Sequence, residues 1–275
     1  MRTWFVTGCS AGGIGAGIAK CVLAHGDNCV VTARSPEKVR EITEAYPETS
    51  LAVALDVTDA GSIARAVAAA KARFGQIDVL VNNAGYCYRS SVEEADRAGV
   101  DKMYETNFFG PVALIQAVLP DMRARRSGAI INVSSIGAVR TGAASGYYAS
   151  TKAALELMSE GLAAEVKPLG IKVMIVEPGS FRTHFYDSSL KGAALTIGDY
   201  AETAWKRSPE QALNQANQPG NPDKAGEAII RALDSENTPL RLLLGSDAVR
   251  IVKGALEARI RELEDWAEVS AITDF

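Results

Sequence analysis

Histidine is almost missing from this chain: His25 and His184 are the only two in 275 residues, and neither has a carboxylate or cysteine at ligand spacing. That argues against a Ser-His-Asp triad and against a zinc centre, and no metal site is expected. Cysteine is scarce too. Cys9, Cys21, Cys29 and Cys87 show neither CxxC spacing nor a paired framework, which fits reduced thiols. No apolar run reaches the roughly 20 residues needed to span a bilayer. MRTWFVTG leads straight into a strand and leaves no room for a secretory or transit peptide, so a cytoplasmic protein is expected. Positive charge is not in surplus either. Lys and Arg total 29 against 33 Asp and Glu, a net charge of −4 that argues against a nucleic-acid partner. The one basic cluster, Arg123, Arg125 and Arg126, suits the last turn of a helix, where cations complement the helix dipole. There is no internal repeat and no low-complexity linker.

What is present is ordinary globular material, 47% hydrophobic and 23% charged, enough for one large core. Short apolar, β-branched runs alternate with helical periodicity. The runs read as strands are Thr3–Thr7, Asn28–Ala33, Leu51–Leu55, Asp78–Val81, a run beginning at Ala129, Ile171–Val176 and Leu240–Leu244. Helices are expected after the glycine loop up to Gly26, from Glu37 to Ala45, through Ile63 to Phe74, and from the Tyr148 region to about Val166. A long helical region from about Asp101 to Arg126 should be interrupted at Pro111 and end after Pro120. A further helix is expected over Asp223–Leu233. The C-terminal stretch, residues 246–270, reads as an amphipathic helix over Ala248–Val269, with Val249, Val252, Leu256, Ile260 and Leu263 at helical spacing. Residues 180–222 lose periodicity, as a binding loop or lid does. The alternation predicts a doubly wound α/β fold: one parallel sheet of about seven strands in a single domain over 1–275.

Ligands of such sheets bind at the carboxyl ends of the strands, and the polar clusters lie there. The first strand runs into GCSAGGIG and then a helix, a unit whose backbone can cradle a pyrophosphate. After the second strand, where an NAD-binding unit would place an acidic residue, stands Arg34. An arginine there can pair with a 2′-phosphate and favours NADP(H) over NAD(H); the alternative is a surface arginine in a turn. Asp56 ends the third strand, Asn82-Asn83-Ala84-Gly85 the fourth, Ser134-Ser135 the next, and Pro178-Gly179 the one after. Asn107 is a polar side chain among apolar neighbours, so it must be hydrogen-bonded, as to backbone at a local distortion.

Tyr148 and Lys152 lie four residues apart on an expected helix, close enough to meet. An ammonium beside a phenol favours the phenolate and lowers its pKa from about 10. With a serine hydroxyl nearby, the pair is a plausible general acid/base for a carbonyl or alcohol. The alternative is a packed ring and a solvated lysine.

Together these features resemble the short-chain dehydrogenase/reductase family, a Rossmann-fold family, over most of the chain. The resemblance rests on the TG…GIG loop (Thr7 to Gly15), NNAG (Asn82 to Gly85), Asn107, Ser135, YxxxK (Tyr148, Lys152) and PGxxxT (Pro178 to Thr183). It implies that Tyr148 is the proton donor or base, that Lys152 lowers its pKa and binds the nicotinamide ribose, and that Asn107 positions a relay water. The family serine stands thirteen residues before the tyrosine, which selects Ser135 over Ser134. The spacing to Lys152 selects Tyr148 over Tyr147. The resemblance further implies that Gly8, Ser10, Ala11, Gly12, Gly13, Ile14 and Gly15 surround the pyrophosphate. Asp56 and Val57 would meet the adenine, and Asn83, Ala84 and Gly85 its ribose. Val133, Pro178, Gly179, Phe181 and Thr183 would complete the cofactor site. The glycine loop has one residue more than the family's TGxxxGxG, so either Gly12 or Gly13 could be the middle glycine.

The function expected is an NADP(H)-dependent oxidoreductase interconverting a ketone or aldehyde and an alcohol. Two other readings stand beside it: a silent NADP-binding sensor or scaffold, and lyase or epimerase chemistry on the same fold. Phe181, Phe185, Tyr186, Leu190, Leu195, Ile197, Tyr200 and Trp205 in the candidate lid suggest an apolar small-molecule substrate, or ordinary loop packing. The resemblance also implies a homodimer or homotetramer, built through the helices containing Asn107 and Lys152.

Overall fold

The computed structural model describes residues 1–183, 190–194, 196–206 and 217–275. Strands β1 (Thr3–Val6), β2 (Asn28–Ala33), β3 (Ser50–Ala54), β4 (Val79–Asn82), β6 (Gly128–Val133), β7 (Ile171–Pro178) and β9 (Arg241–Leu244) form one sheet in the order β3-β2-β1-β4-β6-β7-β9. Every pairing in it is parallel. Parallel neighbours need a crossover, and α1 (Ile14–Ala24), α3 (Ala60–Phe74), α5 (Gly110–Arg125), α6 (Gly146–Val166) and the helix Ala225–Leu233 supply them. The strand order reverses between β1 and β4, which opens a crevice beyond their carboxyl ends. This is the expected seven-stranded, doubly wound Rossmann architecture.

Alternate side chains of each strand point to opposite faces, and both faces are buried. Trp4, Val6, Val31, Val81, Ile131 and Val176 pack with Ile18, Val22 and Ile229. Phe5, Val30, Leu80, Ile130 and Val173 pack with Ile63, Leu114, Val118 and Leu162 on the other side. Fully burying one such side chain contributes about 1.5–3 kcal/mol, which is why short strands read as continuous apolar runs.

Four local expectations need correction. The helical region around the prolines is not cut at Pro111 or ended by Pro120. It consists of α4 (Arg97–Tyr104), a π turn over Glu105–Phe109, and α5, which carries Pro111 in its first turn and Pro120 in its interior. In a first turn the missing N–H is not needed. At Pro120 the lost hydrogen bond is outweighed by the buried face of Leu114, Ile115, Val118 and Met122. The helix expected over Glu37–Ala45 is a 3₁₀ turn, Pro36–Val39, followed by α2 (Arg40–Glu44).

The C-terminal helix runs from Ser246 to Asp265, breaks at Trp266 and resumes over Ala267–Ala271. Its apolar spacing marks a helix but not a core. Val252 is buried, whereas Val249, Leu256, Ile260 and Leu263 are 46–70% exposed. Within the stretch read as irregular, β8 (Leu190–Gly192) pairs in parallel with β5 (Cys87–Arg89) as a separate two-stranded sheet. Glu94 then gathers the following residues, accepting from the N–H groups of Thr196 (2.6 Å) and Ile197 (2.8 Å) and from Trp205 Nε1 (3.2 Å). Among the described residues no helix is long and apolar enough to cross a membrane.

Candidate active site

A cleft of about 490 Å³ lies along the carboxyl ends of β1, β2, β4, β6 and β7. It is lined by Gly8, Ser10, Ala11, Gly13 and Ile14 from the loop after β1, Arg34 after β2, Asp56 and Val57 after β3, and Asn83, Ala84 and Gly85 after β4. Val133 and Ser135 at the end of β6, Tyr148 and Lys152 of α6, and Pro178, Gly179, Phe181 and Thr183 after β7 complete the wall. Nearly all residues singled out in the sequence therefore share one cavity. Gly12, Gly15 and Asn107 do not line it.

The glycine loop is shaped by close approach. Gly8 has φ +71°, and a Cβ there would lie 2.8 Å from Ala84 Cα. The turn Asn83–Ala84 is locked to it. Thr7 Oγ1 accepts from the N–H groups of Asn83 and Ala84, both at 2.9 Å, and Asn83 Nδ2 donates to the carbonyls of Thr7 (2.9 Å) and Gly8 (3.1 Å). The Asn83 side chain thus ties two loops together. Gly13, at φ −97°, caps α1 with no side-chain hydrogen bond, and the first turn holds no acidic residue. Gly12, at φ +74°, makes the turn before it. Gly13 is therefore the cleft glycine, and the helix start at Gly13 and Ile14 offers its positive end to an anion. A uncapped helix start behind a glycine cradle fits a pyrophosphate.

At the far end of the cleft Asp56 accepts from Thr58 N at 2.9 Å and Thr58 Oγ1 at 2.7 Å. These bonds hold its carboxyl below the usual range, and Arg34 and Lys102 act in the same direction. Lys102 and Tyr86 also line the cleft and were missed in the sequence. Tyr86 directly follows NNAG and could have been included; Lys102 arrives through the packing of α4, for which no local signal exists.

At the other end the paired residues have different partners. Ser134 Oγ donates to Glu156 Oε1 at 2.6 Å, so its hydroxyl is committed. Ser135 Oγ accepts from Gly137 N at 3.0 Å and faces the cleft. A Cβ placed on Gly137 would lie 3.2 Å from Ser135 Oγ and 3.5 Å from Tyr148 Cε1, so hydroxyl and ring flank one small space. Tyr147 instead donates its Oη–H to Val92 O at 3.3 Å. Lys152 is 5% exposed, and its Nζ donates to Val133 O at 2.8 Å. Burial pushes its pKa down to about 8, and the charge of Glu156 works against that fall.

Asn107, fully buried in the π turn, accepts from Tyr86 N at 3.0 Å and donates to Tyr86 O (2.8 Å) and Thr151 Oγ1 (3.2 Å). The local distortion expected for a buried asparagine is this turn. Of the candidate lid residues, Phe181 lines the cleft, while Tyr200 donates to Glu93 and Trp205 to Glu94. Phe185, Tyr186, Leu195 and His184 lie outside the described residues.

Comparison with known proteins decides the family. The family described as short chain dehydrogenase matches residues 2–193. The chain belongs to the short-chain dehydrogenase family. It is 37% identical to "Oxidoreductase BOA17" of Botryotinia fuckeliana over 98% of each chain. It is similar to the crystal structure of a short-chain dehydrogenase from Streptomyces avermitilis, with a TM-score of 0.91 and 45% identity over 99% of this chain and 98% of that one. A metagenomic short-chain oxidoreductase solved in complex with NADP aligns at 26% identity and TM-score 0.68, covering 88% of this chain and 96% of that one. Family and relatives make this short-chain dehydrogenase an oxidoreductase with a nicotinamide cofactor.

Proposed function

We propose that this short-chain dehydrogenase interconverts a ketone or aldehyde and an alcohol, prefers NADP(H) over NAD(H), and uses Tyr148 as the proton donor or acceptor. The observation that carries the reading is the convergence of Ser135, Tyr148 and buried Lys152 on one wall of the cleft. A buried ammonium whose placement serves no surface ion pair needs another reason to be there.

The cofactor would be held by Gly8, Ser10, Ala11, Gly13 and Ile14 at its pyrophosphate, by Asp56, Val57 and Asn83–Gly85 toward the adenosine, and by Val133, Pro178, Gly179, Phe181 and Thr183 toward the nicotinamide. Gly12 and Gly15 shape the loop without lining the cleft: Gly12 takes a positive φ, and a Cβ on Gly15 would collide with Asn83 Nδ2. Arg34 would pair with a 2′-phosphate, with Lys102 adding positive charge. Bound nicotinamide supplies or accepts the hydride.

The protein's own part is positional and electrostatic. Ser135 Oγ donates to the substrate oxygen, Tyr148 Oη gives or takes the proton there, and the Lys152 ammonium makes the phenol a stronger acid. Asn107, whose Nδ2 is engaged by Tyr86 O and Thr151 Oγ1, would position a water in the proton relay. The candidate substrate loop reaches the cleft at Phe181 and Thr183, and Phe181 and Tyr86 would meet the apolar skeleton of the substrate. Exposed Phe109 and Leu157, 49% and 68% accessible on the helices carrying Asn107 and Lys152, support a homodimer or homotetramer built through them. Its unpaired cysteines suit the cytoplasm.

The test is NADPH depletion against aldehydes, steroids, acyl ketones and quinones, with NADH in parallel. Positioned proton transfer contributes about 10²–10⁴-fold. Tyr148→Phe should lower turnover of the accepted substrate by that factor while NADPH affinity stays within about twofold. Wild-type turnover in the Phe variant would sink the tyrosine assignment.

A further inference from the structure

Behind Lys152 the protein buries a second group of charges that the proposed chemistry leaves unused. Tyr148, Lys152, Glu156 and Glu160 follow one another in four-residue steps along α6 and so form a single stripe. The end of β6 holds two successive members of it. Val133 O receives the Lys152 ammonium at 2.8 Å, and Ser134 Oγ donates to Glu156 Oε1 at 2.6 Å.

Glu156 is 5% exposed, and Glu177, reaching it from β7, is 1% exposed. Arg241 of β9 stands between them, with Nε 3.5 Å from Glu156 Oε2 and 3.5 Å from Glu177 Oε1, and its other nitrogen meets Glu160. One guanidinium cannot neutralise two buried carboxylates as well as Glu160. Glu177 is the poorer-served of the buried two, since neither of its oxygens has a hydrogen-bond partner, whereas Glu156 has the Ser134 hydroxyl. Two like charges in one dry site do not both persist, and the better-solvated one keeps the charge.

Electrostatics follow the same division. Burial, helped by the Glu156 charge, pushes the Glu177 carboxyl up to about 7. Burial also raises Glu156, but Ser134 and Arg241 oppose it. Glu156 is in turn the one anion that opposes the burial of Lys152.

This inference rests on the reading of Tyr148 and Lys152 as the working pair. We propose that Glu156 is a positioning residue for the reaction: its carboxylate, held by Ser134 and Arg241 one helical turn beyond Lys152, keeps that lysine an ammonium at its station on Val133. Glu177 is the protonated partner of the two buried carboxylates. Glu156 touches neither substrate nor cofactor; it acts on Tyr148 through Lys152.

The readout needs no substrate. Phenolate absorbance of the full-length protein is titrated with pH, and the same titration of the Tyr148→Phe variant is subtracted to isolate Tyr148. Lys152→Met should raise the Tyr148 midpoint by about one unit or more, a tenfold loss of phenolate below it. Glu156→Gln, which keeps a Ser134 partner, should raise it by about one unit, measured against its own Tyr148→Phe background. Glu160→Gln, exposed and screened, should move it by less than about 0.3 unit. If Lys152→Met moves the midpoint and Glu156→Gln does not, the positioning role is overturned and the Tyr–Lys reading survives. If neither moves it, both fall. Should Glu156→Gln lose its circular-dichroism spectrum, Ser134→Ala replaces it, with an expected rise of about half a unit; an unmoved midpoint there overturns the proposal equally.

Discussion

Arg34 leaves β2 where the proposed cofactor preference would be set; it is exposed to solvent and acts on Asp56, as Lys102 also does. A charge-assisted pair contributes about 1.5–3 kcal/mol, and exposure favours the lower figure. Arg34→Ala should therefore weaken NADPH binding by about tenfold and change NADH binding by less than about twofold, as titration of nucleotide fluorescence would show. Equal losses for both would mean that Arg34 does not read the phosphate. At this scale the sequence is legible where a motif fixes spacing: the thirteen-residue and four-residue intervals single out Ser135 and Tyr148, and both line the cleft. It is illegible where a role depends on a distant partner. Asn83 lines the cleft, but the string NNAG does not announce its second task, the bonds from its amide to the carbonyls of Thr7 and Gly8. Glu156, Glu177 and Arg241 stand on three different elements, and nothing local in the sequence announces that they meet.

Helices and strands of the main sheet were readable because each is an apolar run long enough to show its own period. The pairing of β5 with β8 was not, since three residues carry no period and their partners are about a hundred positions away. Glu94 ties the residues that follow β8 to a single side chain. Burial works to raise its carboxyl, but hydrogen bonds from Ile197, Ser91, Thr196 and Trp205 hold it down at about 2 against an ordinary 4.5. A depressed carboxylate contributes stability that is present above the ordinary value and lost as pH falls toward the depressed one. The 196–205 segment should thus stay anchored above about pH 4.5 and release as pH drops toward 2. Glu94→Ala should release it at neutral pH, seen as about tenfold faster amide exchange at Thr196 and Ile197 with little change in the main sheet. Unchanged exchange at those two amides would mean that other contacts hold the segment.

For the molecule as a whole, two buried groups bend stability with pH in opposite senses. Glu177 titrates near 7 when folded and near 4.5 when unfolded. Between those values the folded state holds more protons, so stability falls as pH rises. Lys152 titrates near 8 folded and 10.5 unfolded, so the folded state holds fewer protons across that window and stability rises with pH there. Urea unfolding at pH 5 and pH 8 should show a loss of about 2 kcal/mol that Glu177→Gln largely removes. An identical loss in the variant would place the titrating group elsewhere.

The strand order has a consequence in time. β1 sits between β2 and β4, and Trp4 pairs with Val79, so its second neighbour is made seventy-five residues after it. At about 5–20 residues per second, a nascent chain carries TWFV with one edge open for about 4–15 s. Those four residues are all buried in the finished sheet, next to its central strand β4. Within the main sheet, the strand made first is therefore also the one that waits longest, half-paired, for its second neighbour.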